Sequence, residues 1–524
     1  MKNLWKMIGL SALMLVVGRG PAMAQNPTEL PSLPGALTYP LDVNSSGLIV
    51  GNTYNRFTYE SLAVQWVNGE ISVLPGYPAS FVSGLNDSGL IVGGARKAPE
   101  GDLFPIVWEN GVPRELPTLG RGGVALDINA NGDIVGWVNT DQFTAPAVWR
   151  GGQLTILNSL SEIGGQATSI DNNGLISGFS QGTQGDQFPT QWVAEIPVPL
   201  PVSFGEDYIG VLGVYRTGAG RTSGYLIQKR ALEDGSQYLI STAVGWQNGE
   251  FRVLQRSNDM GNSYAYDVNG KGVFVGATTS LDGYRTPTLW EEDGDTRLPI
   301  DAGREAIAAG ANEDGLVVGV DTTEGLNPIP VIWDTRTFPR IRMQNMQSTP
   351  GSPVVLEASV RTAGAPVANR TVTFQAQGRT IGTARTDSRG VARMNYRLPS
   401  SARNKVDLMA SLGGSNYVFR KIEITKAATT VGVAATQATR SRPMTFQASL
   451  RKTETNAPAG YKRVVFLMDN QPVATGVTDS RGIARSTFRV PSTMAVGQYP
   501  IEVRYFGDSQ LKPATGRATV TILR

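Results

Sequence analysis

The sequence predicts an all-β protein, a seven-bladed β-propeller followed by two β-sandwiches. Three observations support this fold class. A pattern of about 42 residues recurs seven times in the first two thirds of the chain, and a tryptophan occupies the same place in each copy. An eight-residue motif then occurs twice in the last third, 92 residues apart. Between these features, short runs of alternating apolar and polar residues predominate over helical periodicity.

The first 24 residues have the composition of a secretory signal peptide. Lys2 and Lys6 precede an apolar run from Met7 to Val17, and Ala22-Met23-Ala24 fits the small-x-small cleavage pattern. This run is shorter than the roughly 20 residues that span a bilayer, so a cleaved signal is favoured over a membrane anchor. We predict a secreted chain that starts at Gln25 and lies outside the cell, with the cell surface and the periplasm as alternatives.

The absence of two residue types limits the chemistry of the chain. It contains no His and no Cys, which excludes Ser-His-Asp and Cys-His catalysis and zinc sites built on those ligands. Disulfides are therefore absent, although secreted proteins meet an oxidising compartment. Stability must come from apolar packing, which a chain of this length can provide in several domains.

Each copy of the long repeat contains a strand, an Asn-x-x-Gly or Asp-x-x-Gly turn, and a second strand that ends in glycine. The turn glycines are spaced by 42, 43, 42, 98 and 43 residues, and a weaker copy at Asp207–Gly210 fills the long gap. The fifth copy therefore carries an insertion, at 217–243. The six clear turns are Asn44–Gly47, Asn86–Gly89, Asn129–Gly132, Asp171–Gly174, Asn269–Gly272 and Asn312–Gly315.

Seven of the nine tryptophans occupy one position of this repeat, spaced by 42, 41, 43, 54, 44 and 43 residues. A four-stranded sheet has two apolar faces, and radial packing of such sheets covers both, so this period predicts propeller blades. Seven equivalent positions favour a core role between blades over ligand stacking. The position contains Trp66, Trp108, Trp149, Trp192, Trp246, Trp290 and Trp333.

The segment before the first copy matches the last strand of a blade. Glu29-Leu-Pro-Ser-Leu33 is similar to Glu115-Leu-Pro-Thr-Leu119, which ends the second copy. A propeller needs its first and last blades to be joined. We therefore predict that residues 28–34 pair into the seventh blade and close the ring.

The repeat resembles the HAF repeat of bacterial extracellular proteins, through Leu116–Gly120, Ala125–Asn129, Gly132–Gly136 and Ala147–Trp149. The resemblance covers about residues 28–341 and implies secretion and a propeller-like fold rather than an activity. None of the seven residues at the histidine position of that family is His. No role of that histidine is therefore transferred to this chain.

The duplicated motif lies at Thr386–Arg393 and Thr478–Arg485, within two units of about 90 residues. Their short alternating strands are typical of β-sandwiches, and they resemble bacterial immunoglobulin-like domains of secreted and surface proteins. The Asp-Ser-Arg-Gly turn is interpreted as a hairpin feature. The predicted organisation is a signal peptide (1–24), a seven-repeat propeller (25–341), and immunoglobulin-like domains at 342–427 and 428–524.

The charge divides at the same predicted boundary. Residues 25–341 contain 18 Lys and Arg against 35 Asp and Glu, a net charge of −17. Residues 342–524 contain 26 against 9, a net charge of +17. A basic pair of sandwiches fits contact with an anionic glycan, lipid headgroups or an acidic protein. A role of the charge in solubility alone is the alternative.

One motif is a candidate calcium loop. Asp127-x-Asn129-x-Asn131-Gly132 has partial copies at Asp42–Gly47 and Asp267–Gly272. Calcium takes roughly six to eight oxygens, usually with a closing carboxylate, but the closing positions are Val or Thr and Lys271 would repel the ion. Asn and Asp also favour such turns without metal. We therefore predict no metal, cofactor or catalytic residue.

Two acidic clusters, Glu206-Asp207 and Glu291-Glu292-Asp293, are interpreted as solvent-facing turns. The sequence as a whole predicts a monomeric, secreted or cell-surface, non-enzymatic binding or adhesion protein. The propeller would present the recognition face, with the insertion at 217–243 as a candidate recognition loop, and the sandwiches would act as spacers or matrix contacts. The expected partner is an extracellular glycan or a surface protein, with no nucleic acid and no transmembrane anchor. A glycoside hydrolase or lyase that uses paired carboxylates is the alternative.

Overall fold

The computed structural model describes residues 27–524, with the exception of 59, 99–100, 184–185, 203–207, 219, 232–236, 255–260, 280–282, 293, 302, 324–326, 403 and 414–415. The predicted signal peptide and the cluster Glu206-Asp207 lie outside the described residues. Every regular element of the described part is a β-strand, so the prediction of an all-β protein is confirmed. This part contains no helix of the length and apolarity that a membrane crossing requires.

The chain divides into two compact units. It passes from the first to the second between Ile341 and Arg342, and the first unit also includes Val360–Val367 and Gly413–Tyr417. The acidic and basic parts of the sequence meet at this break.

The first unit contains, in its described residues, seven four-stranded antiparallel sheets. Six of them use four consecutive strands, and the seventh takes its outer strand from the N-terminus. Sheets 1 to 3 comprise β2 (Ala36–Val43), β3 (Ile49–Asn55), β4 (Ser61–Val67) and β5 (Glu70–Val73); β6 (Ala79–Leu85), β7 (Ile91–Arg96), β8 (Phe104–Glu109) and β9 (Val112–Glu115); and β10 (Gly123–Ile128), β11 (Ile134–Asn139), β12 (Thr144–Arg150) and β13 (Gln153–Ile156). Sheets 4 and 5 comprise β14 (Gly165–Ile170), β15 (Ile176–Gln181), β16 (Gln187–Val193) and β17 (Ile196–Pro199); and β18 (Tyr208–Gly218), β19 (Arg221–Ala231), β20 (Gln237–Gln247) and β21 (Glu250–Val253). Sheets 6 and 7 comprise β22 (Ser263–Val268), β23 (Phe274–Thr279), β24 (Arg285–Glu291) and β25 (Gly294–Arg297); and β26 (Ala306–Ala311), β27 (Leu316–Asp321), β28 (Ile329–Asp334) and the N-terminal β1 (Thr28–Glu29).

The N-terminal strand completes sheet 7. Strand β1 pairs antiparallel with β28, and the amide of Leu30 donates to the carbonyl of Pro330 at 2.8 Å. Leu30 and Leu33 pack against an apolar cluster that combines residues of sheets 1 and 7. The predicted pairing of the N-terminal segment with the seventh repeat is confirmed, for a strand shorter than the predicted 28–34.

The seven repeated tryptophans are buried, each no more than 1% exposed. In six of them the indole Nε1 donates to the backbone carbonyl two residues after the outer strand of the preceding sheet, at 2.6–3.0 Å. For Trp66 of sheet 1 this carbonyl belongs to Pro31, which follows β1 of sheet 7. The predicted core role is confirmed, and the same contact that joins neighbouring sheets also joins the last sheet to the first.

The rest of the chain forms four sheets in two sets that repeat one arrangement. In each set a five-stranded sheet starts with a parallel pair, β30 with β37 and β39 with β45. The first set has sheet orders β29-β31-β32, with β35 also paired to β31, and β30-β37-β36-β33-β34; the second has β38-β40-β43 and β39-β45-β44-β41-β42. The strands are β29 (Arg340–Met343), β30 (Met346–Ser348), β31 (Pro353–Thr362), β32 (Ala365–Pro366), β33 (Thr371–Ala376), β34 (Arg379–Arg385), β35 (Val391–Arg397), β36 (Lys405–Gly413), β37 (Asn416–Ile424), β38 (Thr429–Val433), β39 (Thr436–Thr439), β40 (Pro443–Lys452), β41 (Arg463–Met468), β42 (Gln471–Val477), β43 (Ile483–Arg489), β44 (Gly497–Tyr505) and β45 (Ala514–Leu523).

The duplicated Thr-Asp-Ser-Arg-Gly motif forms the same turn in both sets. Asp387 Oδ1 accepts the backbone N–H groups of Arg389 and Val391 at 2.8 and 3.0 Å, and Asp479 makes the equivalent two bonds. These backbone hydrogen bonds lower the pKa of both carboxyls, because they stabilise the charged form. The motif is therefore a turn that its own side chain stabilises, as the sequence predicted.

Candidate functional site

The repeated turns of the first unit share this local geometry. Asn44 Oδ1 accepts the backbone N–H groups of Ser46 and Leu48 at 3.1 and 3.0 Å, and the N–H of Gly47 donates to the carbonyl of Asn44 at 3.0 Å. The side chain thus satisfies backbone donors that no strand partner reaches. The oxygens of Asn129, Asp171, Asn269 and Asn312 make the same pair of bonds.

The amide nitrogen of the repeated asparagine donates to the next sheet. Asn44 Nδ2 donates to the carbonyl of Asn86 at 3.2 Å, and the equivalent bonds elsewhere measure 2.9–3.1 Å. Asn312 of sheet 7 donates to the carbonyl of Asn44 in sheet 1, so the series returns to its starting residue. The series runs from Asn44 to Asn86, Asn86 to Asn129, Asn129 to Asp171, Asn269 to Asn312 and Asn312 to Asn44.

Sheet 4 carries an aspartate in place of the asparagine. A carboxylate accepts hydrogen bonds but does not donate them, so Asp171 cannot make the usual contact with a carbonyl. Its Oδ2 instead accepts the backbone N–H of Gly220, in sheet 5, at 2.9 Å. The direction of the inter-sheet bond is reversed where the fifth copy departs from the repeat.

This reversal predicts that the two residue types are not interchangeable. Asn129→Asp should destabilise the first unit by about 1–3 kcal/mol, because a carboxylate would face the carbonyl of Asp171 without a donor. Asp171→Asn should also destabilise it, since the amide nitrogen would face the N–H of Gly220. Urea unfolding followed by tryptophan fluorescence measures both changes, because all nine tryptophans precede residue 342. If neither substitution changed the free energy of unfolding, this account of the inter-sheet bonds would be contradicted.

The aspartates of the candidate calcium loops also join sheets. Asp127 Oδ2 accepts the hydroxyl of Ser169 at 2.6 Å and the N–H of Ile170 at 2.9 Å, and Asp267 Oδ2 accepts the N–H of Ala311 at 2.9 Å. These oxygens, considered as calcium ligands from the sequence, are engaged by donors of the protein. Over the residues that the structure describes, no group of three or more acidic side chains is placed to hold a metal ion.

A polar cavity of about 320 Å³ lies where these turns converge. Sheets 1, 2, 3, 4, 6 and 7 contribute its walls, through the ends of their first strands and the turns that follow. Among the described residues, seven carboxylates line the cavity and no Lys or Arg does. The carboxylates belong to Asp42, Asp87, Asp127, Asp171, Asp267, Glu313 and Asp314.

The lining separates residues that repeat from residues that vary. The asparagine or aspartate that begins each turn is buried or half-buried and makes the inter-sheet bonds. The residue after it also lines the cavity, but it differs in every copy. Some of these variable residues add further inter-sheet bonds, since Asp87 Oδ1 accepts the N–H of Ser45 and Asn172 Oδ1 accepts the N–H of Ala130, each at 2.8 Å. The variable residues are Ser45, Asp87, Ala130, Asn172, Gly270 and Glu313.

The sequence prediction missed this cavity because it followed the repeated residues. The sequence did contain a signal for the cavity: the turn position that changes from copy to copy lies directly after the Asn or Asp position that repeats. The other predicted candidates lie elsewhere. Glu291, interpreted as part of a solvent-facing turn, is the half-buried last residue of β24 and accepts a hydrogen bond from Arg340 at 2.7 Å, whereas Glu292 is exposed. Asp293 and Glu206-Asp207 lie outside the described residues. The insertion at 217–243 lengthens β18, β19 and β20 to 11 residues each, so its described part is strand rather than loop.

Comparison with known proteins gives distant likenesses only. No family model and no curated protein matches the sequence. Among solved structures, the chain is similar to the β-propeller domain of the Trilobed protease from Pyrococcus furiosus, with 12% identity over 57% of this chain and 93% of that chain and a TM-score of 0.39. It is also similar to fibronectin(III)-like modules of CbhA from Clostridium thermocellum (15% identity, 35% and 93% covered, TM-score 0.15) and to the adhesin InvE of Yersinia pseudotuberculosis (16%, 36% and 58%, 0.20). The resemblance to the HAF repeat stays a prediction.

Proposed function

We propose that the chain is a secreted, non-enzymatic binding protein. In this proposal residues 25–341 form a seven-bladed β-propeller, and residues 342–427 and 428–524 form two immunoglobulin-like domains that act as spacers. The ring is supported by seven four-stranded sheets, by the N-terminal strand in sheet 7, and by the asparagine bonds that return to Asn44. The pair of domains is supported by the two sets of sheets with one arrangement.

The binding role rests on one observation, the cavity lined by the non-repeating positions of the turns. Scaffold residues repeat because every sheet must be joined to the next. A residue beside them that changes from copy to copy gives the cavity a surface without rotational symmetry, which suits one particular ligand. Concave sites with convergent polar groups are the usual place for ligand binding.

The chemistry of the lining restricts the ligand. The described lining contains seven carboxylates and no Lys or Arg, and the nearby Lys271 donates to the backbone carbonyl of Glu313 rather than to its carboxylate. Such a lining attracts positive charge and accepts hydrogen bonds from hydroxyl or amino groups. An extracellular glycan that carries amino groups, or a basic loop of a surface protein, has these properties. Several of the buried carboxylates already accept hydrogen bonds from the scaffold, which favours binding over a hydrolase with two available carboxyl groups.

Calorimetry with chitosan oligomers tests the proposal on the mature chain, with N-acetylated oligomers as the uncharged reference. Binding of the cationic oligomers should weaken about tenfold in the double variant Glu313→Gln/Asp314→Asn, through loss of charge attraction in the cavity. The control is Asp141→Asn/Glu162→Gln, which removes two exposed carboxylates outside the lining and should leave binding unchanged. Equal weakening in both variants would contradict the site, and release of shorter oligomers would favour the hydrolase.

A further inference from the structure

The three-stranded sheet of the last set has a basic outer face. Along β40 the even positions from Met444 to Leu450 are buried in the core, and the odd positions point outward. The three strands β38, β40 and β43 contain no Asp or Glu. Their outward positions carry three arginines among mostly polar or small side chains, together with one half-buried isoleucine. The face, called the arginine face below, comprises Thr430, Gly432, Pro443, Thr445, Gln447, Ser449, Arg451, Ile483, Arg485, Thr487 and Arg489.

The first set provides an internal comparison at the same register. There Arg393 lies opposite Glu357, and its guanidinium donates to Glu357 Oε1 and to Asp387 Oδ2, both at 2.7 Å. In the second set the opposite residue is Gln447, whose uncharged amide oxygen accepts one hydrogen bond from Arg485, at 3.1 Å. The first copy of the arginine is neutralised by two carboxylates, and the second copy is not.

The neighbouring groups also neutralise the arginines of the second set less than those of the first. Asp479 lies 3.8 Å from the guanidinium of Arg485, against 2.7 Å for the equivalent pair in the first set. Within the described structure the Arg489 side chain makes no hydrogen bond or ion pair, whereas the equivalent Arg397 donates to the carbonyl of Gly351. The charge of Arg489 is therefore available to a partner, and Arg485 is held only by the longer ion pair with Asp479 and the bond to Gln447.

We propose that the arginine face binds an anionic polysaccharide. Arg485 and Arg489 are separated by about 13 Å along one strand, and exposed Thr445 and Thr487 lie between them. Guanidinium groups pair with carboxylates or sulfates in bidentate fashion, and the threonine and glutamine side chains between them can bond to sugar hydroxyls. This surface goes beyond the cavity of the proposed function, and it lies on a different unit of the chain.

Other anionic partners fit this face less well. No large apolar side chain is exposed on β38, β40 or β43, and the outward Ile483 is half-buried, so the face offers no exposed apolar side chain for insertion into a lipid surface. The first set has an exposed Val355 where this face has Thr445. The outward positions include no aromatic ring for a nucleic-acid base to stack on.

Binding of dextran sulfate and polygalacturonate to the mature chain tests the proposal, with uncharged dextran as the reference. Binding of at least one of the two polyanions should weaken steeply as the salt concentration rises from about 50 to 300 mM, because salt screens the attraction between exposed charges. The double variant Arg485→Gln/Arg489→Gln should weaken it at least tenfold. The single variant Gln447→Glu should weaken it several-fold, because it recreates the neutralised pair that the first set already carries.

The matched control is Arg393→Gln/Arg397→Gln, which removes the same charge from the equivalent positions of the first set and should change binding less than twofold. Circular dichroism confirms that each variant is folded. Equal losses in the two double variants would overturn the proposal, since net charge alone would then explain binding. Binding to anionic vesicles or duplex DNA without binding to either polysaccharide would overturn it as well. The two experiments are independent, because they change different residues. A failure to detect chitosan binding in the cavity would not alter the outcomes expected for the arginine face.

Discussion

Deletion of residues 27–33 is expected to lower the melting temperature of the first unit by roughly 10 °C. The deletion removes the outer strand of sheet 7 and the half-buried side chains of Leu30 and Leu33. It also leaves the buried indole N–H of Trp66 without its acceptor, the carbonyl of Pro31. Two partly buried leucines and one unsatisfied donor together correspond to about 4–6 kcal/mol.

Tryptophan fluorescence during heating measures this change in the first unit alone, because no tryptophan lies beyond residue 341. Leu30→Ala/Leu33→Ala serves as the control. It keeps the strand and the carbonyl of Pro31, and it should produce a smaller shift. A synthetic peptide of residues 25–35 added to the deleted protein should restore part of the lost stability. An unchanged melting temperature after the deletion would mean that the N-terminal strand does not hold sheets 1 and 7 together.

The closing strand could be predicted because its sequence copies a strand that the chain contains elsewhere. Glu29–Leu33 repeats Glu115–Leu119, and in the structure both segments place a proline carbonyl against a tryptophan indole, from Pro31 to Trp66 and from Pro117 to Trp149. Similar side-chain patterns predict similar local structure. The repeat also predicted the sheets, since spacing alone separates one group of strands from the next.

The inter-sheet bonds could not be predicted in the same way. The amide of Asn129 reaches a backbone carbonyl 42 residues away, and a carbonyl leaves no trace in the identity of its residue. Asp127 was a potential metal ligand in the sequence, because the same Asp and Asn residues occur in calcium loops and in turns that bind no metal. Only the position of Ser169 and Ile170 beside it decides between the two.

The cavity was hidden for a related reason. Its lining depends on which turn positions face inward at the point where six sheets converge, and this depends on how the sheets pack rather than on the strand pattern of one repeat. The insertion of the fifth copy also looked like a loop, because its strands exceed the repeat length. Hydrogen bonding along β19 and β20 extends them regularly from Arg221 to Ala231 and from Gln237 to Gln247.

Gly136→Ala should destabilise the first unit by about 3–5 kcal/mol. Gly136 ends the repeated second-strand motif and pairs with Ala125, where β10 carries a bulge before Asp127. The backbones lie so close at this pair that an added Cβ on Gly136 would be 2.0 Å from the carbonyl oxygen of Val124. Such contact cannot be relieved by a side-chain rotation, because the neighbour is backbone.

The same conflict exists in five other sheets, with a Cβ at 1.9–2.2 Å from a carbonyl oxygen. The expected consequence of the substitution is therefore an opened bulge, which would also withdraw Asp127 from Ser169 and Ile170 of sheet 4. Gly132→Asn is the matched control in the same hairpin. Its φ of 82° suits asparagine, the nearest atom to an added Cβ is Leu90 Cδ1 at 4.0 Å, and the cost should stay below about 1 kcal/mol. Urea unfolding followed by tryptophan fluorescence compares the two substitutions. Equal destabilisation by both would mean that the requirement for glycine is not specific to the bulge.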